Sequence, residues 1–245
     1  MLHSVWFDFG DTVLDFYAAD TSAGIAAVLQ KALGEPPGPR LQKKAQQRSR
    51  HLNEIFNQRA EVSSLEYDQY GFQRLLYEPL VGKISPQLLD EMVTVYWDNS
   101  MSFRAQPGIH EALDWLEQQG MQTGIISNSS FPAELLEREL VRHGLGERFS
   151  PIISTVEYGL RKPAVELFEL AEALVRVQNP SEKITFWYIG NSIPHDVHGA
   201  LAAGWNAAWY NRGGESRRGC PSTVAELHSW GDLPAVIQTR MKEGI

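Results

Sequence analysis

The chain has 245 residues, 43% hydrophobic and 21% charged, with a net charge of −8. That length suits one large or two modest domains, and the acidic balance argues against nucleic-acid or anionic-membrane partners. No apolar run nears the roughly 20 residues that span a bilayer, and the N-terminus lacks the basic and apolar regions of a signal peptide, which predicts a cytoplasmic protein. Cys220 stands alone, so neither an intrachain disulfide nor a cysteine metal cluster is available.

Val5-Trp6-Phe7 reads as a buried strand that ends in the tight loop Asp8-Phe9-Gly10-Asp11-Thr12. Val13 to Tyr17 leads away from that loop, and the pattern turns helical. Ile25, Val28, Leu29 and Ala32 fall at helix spacing, closed by Gly34. After the breaker Glu35-Pro36-Pro37-Gly38-Pro39, an amphipathic helix is predicted over residues 40–59, with Leu41, Ala45, Arg48, Leu52 and Ile55 on one stripe. Two further helices are predicted over residues 65–77 and 86–96. No strand is recognisable in this block, which reads as an all-α insert.

From Gln106-Pro107-Gly108 onward, helices and strands alternate. A helix on Ile109, Ala112, Leu113 and Leu116 stops at Gly120, before a strand over residues 123–126 and a helix over 132–143. A strand over 152–154 precedes a helix with Pro163 at its first position. Strand 184–189, helix 194–203, strand 207–210 and a helical tail follow. This alternation predicts an α/β fold, a doubly wound and mainly parallel sheet with helices on both faces. Residues 1–15 and 106–245 form the core domain in this reading, and residues 16–105 the inserted helical domain.

In a parallel sheet the C-terminal strand tips open on one edge, where α/β proteins bind ligands. Asp8, Ser127 with Asn128, and Gly190 with Asn191 sit at such tips, and Lys162 in the loop after another strand. A carboxylate, a hydroxyl, an amide and an ammonium thus converge. The stretch Phe7-Asp8-Phe9-Gly10-Asp11-Thr12 resembles the nucleophile loop of the haloacid dehalogenase superfamily of hydrolases. Ser127 after its strand, Lys162-Pro163, and Gly190-Asn191 followed by Asp196 answer it in the expected order.

The resemblance implies Asp8 as nucleophile and Ser127 as hydrogen-bond donor to a transferring phosphoryl oxygen. It implies Lys162 as the cation that neutralises both, with Thr12 and Asn128 beside the substrate. Mg2+ would be held by Asp8, the Gly10 carbonyl, Asn191 and Asp196, oxygen ligands as that ion requires. Two positions depart from the family pattern. Family phosphatases carry at Gly10 an Asp that protonates the leaving group, a role worth about 10²–10⁴ in rate; dehalogenases carry an aromatic there. Asn191 replaces a carboxylate with a weaker, neutral ligand. In an extended stretch Asp11 would point to the opposite face from Gly10, whereas in a loop it could swing back. Arg161 reads as a surface residue and His195 as a surface or packing residue.

The insert matches the cap of this superfamily. Its basic helix carries Arg40, Lys43, Lys44, Arg48, Arg50 and Arg59 against Glu54, and offers Lys43 and Lys44 to a small anionic substrate. A Schiff-base lysine in that helix would have to be one of the same two, which lack the surrounding apolar motif. The expected function is Mg2+-dependent hydrolysis of a small phosphate ester through an aspartyl-phosphate. The alternatives are a 2-haloacid dehalogenase, with Asp8 attacking carbon, and a binding or regulatory protein that kept the pocket and lost turnover.

Overall fold

The computed structural model describes residues 2–242, with the side chains of residues 60–62 outside that description. Met1 and residues 243–245, which the expected core boundaries include, also lie outside it.

The core is a six-stranded parallel sheet in the order β5-β4-β1-β6-β7-β8, formed by Ile152–Ser154, Gln122–Ser127, Leu2–Phe7, Ile184–Gly190, Asn206–Tyr210 and Ala225–Leu227. β1 is central. Its Phe7 pairs with Ile125 of β4 and with Ile189 of β6, so Asp8, Ser127 and Gly190 finish their strands side by side. Alternate residues of β1 serve opposite faces. Val5 and Phe7 join a cluster with Leu113 and Leu136 from α5 (Ile109–Gln118) and α6 (Ala133–Arg142). Trp6 joins Phe168, Ala171 and Tyr188 under α7 (Val165–Gln178) and α8 (His198–Ala202). Both faces are covered, which is why these strands read as continuous apolar runs.

The chain leaves the core through β2 (Leu14–Ala19) and returns through β3 (Met101–Ala105), which pair antiparallel as a separate ribbon. Between them lie α1 (Thr21–Leu33), α2 (Pro39–Val62), α3 (Gln69–Val81) and α4 (Pro86–Ser100), packed around Ile25, Leu29, Tyr77, Leu89 and Met92. Local signals set their ends: the side chains of Asp20, Asp68 and Ser85 accept from Ala23, Tyr70 and Leu88 N–H groups, and Gly34 terminates α1 at φ +77°.

Four expectations need correcting. The block read as strandless contributes β3 and most of β2, whose short, crossing pairing leaves no long alternation in sequence. The tail holds the edge strand β8 before its helix α9 (Leu233–Lys242). Ile55, placed on the buried stripe of α2, is 49% exposed. Pro163 follows a cis peptide bond and lies two residues before Val165, the first residue of α7, rather than opening that helix.

Candidate active site

The strand tips enclose a cleft of about 440 Å³ lined by Asp8, Gly10, Ser127, Asn128, Lys162, Asn191 and Asp196, together with Asp11, Arg161 and His195. Its centre is Lys162, which is 2% exposed. Its Nζ donates to Asp8 Oδ1 at 2.8 Å, Asp196 Oδ1 at 2.7 Å and Tyr188 Oη at 2.7 Å. An ammonium has three N–H groups, so all are engaged within the protein. Tyr188 donates in turn to the Ile126 carbonyl at 2.7 Å, which requires a protonated phenol. Burial, then the charges of Asp196 and Asp8, hold that phenol well above its usual range.

Burial disfavours the Lys162 charge, but Asp196 and Asp8 outweigh it and raise its pKa. Asp196 is 1% exposed. Its carboxyl is pushed up to about 6, chiefly by burial and with Asp8 adding to it, while Lys162 pulls the other way. Its second oxygen, Oδ2, accepts from the Ser192 N–H at 2.8 Å. Gly190 permits this approach, because a Cβ there would sit 2.3 Å from Asp196 Oδ2.

Asp8 keeps 13% side-chain exposure toward the cleft, with Oδ2 accepting from Thr12 Oγ1 at 3.1 Å. Thr12 is fully buried, so its hydroxyl orients Asp8 rather than reaching a substrate. The Asn128 side chain is similarly occupied: it donates to the Lys162 carbonyl at 3.2 Å and accepts from the Lys162 N–H at 2.8 Å, clamping that loop. Ser127, 5% exposed, lines the cleft and makes no side-chain hydrogen bond among the described residues. Lys43 and Lys44 are exposed on α2 and do not line the cleft.

Asp11 is turned into the lining. Its φ of 57° is left-handed, so the extended-strand alternation that would have pointed it away does not apply. Oδ1 accepts from the Phe16 N–H at 3.1 Å. Its pKa is raised, mainly by burial. Arg161, expected at the surface, and His195, expected at the surface or in packing, also line the cleft. Arg161 Nη1 meets both oxygens of Glu66, at 2.8 and 2.9 Å, and Glu66 is closed off from solvent and also accepts from Thr155 Oγ1 at 2.9 Å. Beside this pair the chain around Leu65 runs antiparallel to Leu160, with Arg161 N–H on the Ser64 carbonyl at 2.7 Å. The helical insert is thereby stitched to the loop that carries Lys162. Burial, then the charges of Lys162 and Arg161, lower the His195 pKa.

The residues suited to Mg2+ all line one cleft, and every donor among them is oxygen. Asn191 brings a side-chain amide with no hydrogen bond among the described residues. Each Asp8 and Asp196 oxygen keeps a lone pair beyond its existing bond. Two carboxylates with neutral carbonyls and water are a donor set that Mg2+ accepts. Among the described residues, no cluster of three or more His, Cys, Asp or Glu side chains is placed to hold a metal ion.

The sequence model of haloacid dehalogenase-like hydrolases matches residues 5–210. The chain belongs to that family. Along 213 residues, 86% of each chain, it is 27% identical to a glyceraldehyde 3-phosphate phosphatase of Methanothermobacter thermautotrophicus. It is 33% identical to haloacetate dehalogenase H-2 of a Moraxella species over 108 residues, 44% of this chain and 45% of that one. The crystal structure of a 2-haloacid dehalogenase from Pseudomonas syringae pv. Tomato superposes with a TM-score of 0.65 at 23% identity, covering 98% of this chain and all of that one. The chain is therefore a hydrolase by family, with phosphatases and a dehalogenase among its relatives.

Tyr188 escaped the sequence reading, although a tyrosine inside the apolar strand Ile184–Gly190 signals a buried hydroxyl in need of a partner. Glu66 carried no such signal, because its partner Arg161 is 95 residues away.

Proposed function

We propose that this hydrolase is a phosphatase that cleaves small phosphate monoesters through an aspartyl-phosphate on Asp8. The observation that carries the reading is the Lys162 bridge, with Asp8 held at the cleft floor between Lys162 and Thr12 and beside the unengaged Ser127 hydroxyl. An Asp8 oxygen forms the new bond to phosphorus while the bond to the ester oxygen breaks, its electron pair leaving with that oxygen. Water then attacks the phosphorus, and Asp8 returns as a carboxylate. Ser127 is placed to hold a phosphoryl oxygen. Asp8, the Gly10 carbonyl, Asn191 and Asp196 would hold Mg2+, whose chemistry there is neutralisation of phosphoryl charge. The helices α1–α4, with the ribbon β2-β3, would act as the cap that excludes water over the cleft.

Gly10 departs from the aromatic of the dehalogenase pattern as it does from the Asp of the phosphatase pattern, so the preference is supported by a relative that matches 86% of both chains and is named as a phosphatase. The test is a panel of phosphate esters and 2-haloacids, each with and without Mg2+, followed by repeated turnover in ¹⁸O-water. Enzymatic release of phosphate is expected, with the nucleophilic carboxylate of Asp8 left unlabelled when water attacks phosphorus. Trapping of ³²P on wild-type protein but not on Asp8→Asn is expected as well. Halide release with ¹⁸O entering Asp8, and no phosphate release from any ester, would replace this reading with attack on carbon.

A further inference from the structure

The cleft is divided. One part of its lining carries the charged groups, whereas another is formed by Phe16, Met101 and Phe103 of the ribbon β2-β3, in ring contact with Phe9, Trp97 and Phe131. The rings are mutually locked: Phe103 lies 5.4 Å from Phe16, 5.7 Å from Phe9 and 5.3 Å from Trp97 between centroids, and Trp97 lies 4.9 Å from Phe131. Phe9, Trp97 and Phe131 are buried, while Phe16 is 39% exposed and Phe103 half-buried, so the latter two present ring surface to the space. Ser129, next to this wall, is engaged elsewhere. Ser129 Oγ donates to the Phe131 carbonyl at 3.1 Å and accepts its N–H at 3.0 Å.

A polyol or amino-acid alcohol docked on these rings would lose water contacts that the rings do not replace, whereas a flat apolar group gains preformed aromatic contact. Position 10 points the same way. Gly10 has no acid to protonate an alkoxide, and the Lys162 donors are all engaged. A phenol oxygen ionises near pH 10, as in tyrosine, and departs as the anion, whereas an alkyl alcohol holds its proton about as tightly as water does.

We infer that the preferred substrates are phosphate monoesters of phenols or comparably flat, apolar alcohols, the ring seated on Phe16 and Phe103. This rests on the phosphatase reading of the same site. Phenyl phosphate intrinsically carries a better leaving group than ethyl phosphate, so the test pairs rates with the binding of inert phosphonates, which report the wall without any bond breaking. Phenylphosphonate is expected to bind at least tenfold tighter than methylphosphonate, and phenyl phosphate to exceed ethyl phosphate in kcat/KM by more than 100-fold. Phe16→Ser, at the exposed edge of the wall, is expected to cut the binding ratio several-fold. Phe103→Leu, which keeps most of the packed volume, is expected to do the same should the first variant fold poorly. Equal affinity for both phosphonates in the wild type, or a ratio unchanged in both variants, overturns the aromatic assignment and leaves the phosphatase reading standing. A preserved phenyl preference without hydrolysis of any ester overturns the phosphatase reading and the ester substrate class with it, leaving only the aromatic wall. Failure to bind either phosphonate overturns the aromatic assignment, and ester hydrolysis alone then decides the phosphatase reading.

Discussion

The floor of the cleft comes from the tips of parallel strands, and each of its groups has a definite partner. Lys162 satisfies two carboxylates and a phenol, Thr12 orients Asp8, and Asn128 clamps the Lys162 backbone. The apolar wall comes from the ribbon β2-β3 and the rings in contact with it, held by ring contacts that tolerate many similar shapes. The difference separates two requirements. Chemistry needs particular atoms at hydrogen-bonding distance, and a buried polar group left without its partner is costly. Selection of an apolar body needs only surface of the right extent. Changes on the floor should therefore act steeply and specifically, and changes on the wall mildly.

The steepest contrast is expected from Asp8→Asn. Turnover of every ester should fall on the order of 10⁴-fold or more, with an unaltered circular dichroism spectrum; residual activity within tenfold of wild type would remove Asp8 as nucleophile. Lys162→Met is the structural counterpart. It leaves Asp8 and Asp196 facing each other without a counter-charge in a buried site, which should cost about 3–5 kcal/mol in urea unfolding. Phe103→Leu on the wall should cost about 1 kcal/mol. Similar losses in the two variants would erase the distinction between floor and wall.

Gly10→Asp sharpens the comparison from the chemical side. A Cβ at Gly10 meets nothing within 4 Å, so a side chain there starts into open space. Acting as a proton donor, it should raise kcat/KM for ethyl phosphate by up to about 10²-fold and change phenyl phosphate far less. Equal gains on both esters would assign the new group to metal or geometry. Asn191→Asp adds a charged oxygen at the floor and should tighten Mg2+ by roughly tenfold or more, read as the Mg2+ concentration that half-saturates the rise in Tm. Identical Mg2+ dependence in both proteins would place Asn191 outside the metal site.

The smallest effect is expected at the neck between the two regions. Asp15 opposes burial, which alone would raise its pKa, with two hydrogen bonds from Arg104 and the charge of Arg212, and is held below the usual carboxylate range. A depressed native pKa means that the unfolded chain binds the extra proton. The stabilisation is thus present above the unfolded value near 4 and fades as pH falls through the native one. Arg104 and Arg212 are 63% and 45% exposed, so solvent screening limits the contribution to about 1 kcal/mol. Asp15→Asn should lower Tm at pH 7 and converge on wild type toward pH 3; a gap that stays constant with pH would assign the loss to packing.

The sequence by itself determined five of the six strands of the sheet, the run of helices between its first two strands in chain order, and which polar residues meet at the strand tips. Asp8, Ser127, Lys162, Asn191 and Asp196 were legible because every strand of a parallel sheet ends on the same edge, so order along the chain becomes proximity in space. Only the tertiary structure decided how those groups pair and what else lines the cleft. Thr12 and Asn128 were readable as members of the site, but not as supports of Asp8 and Lys162, because hydrogen-bond allegiance depends on angles a few residues of pattern do not encode. Asp11 turned into the cleft through a left-handed backbone that alternation does not anticipate. Lys43 and Lys44 fell away from the cleft because the rotation of a surface helix is set by which stripe its neighbours bury. The Glu66–Arg161 pair and the aromatic wall join segments far apart in sequence, and such contacts exist only once the insert has packed against the core.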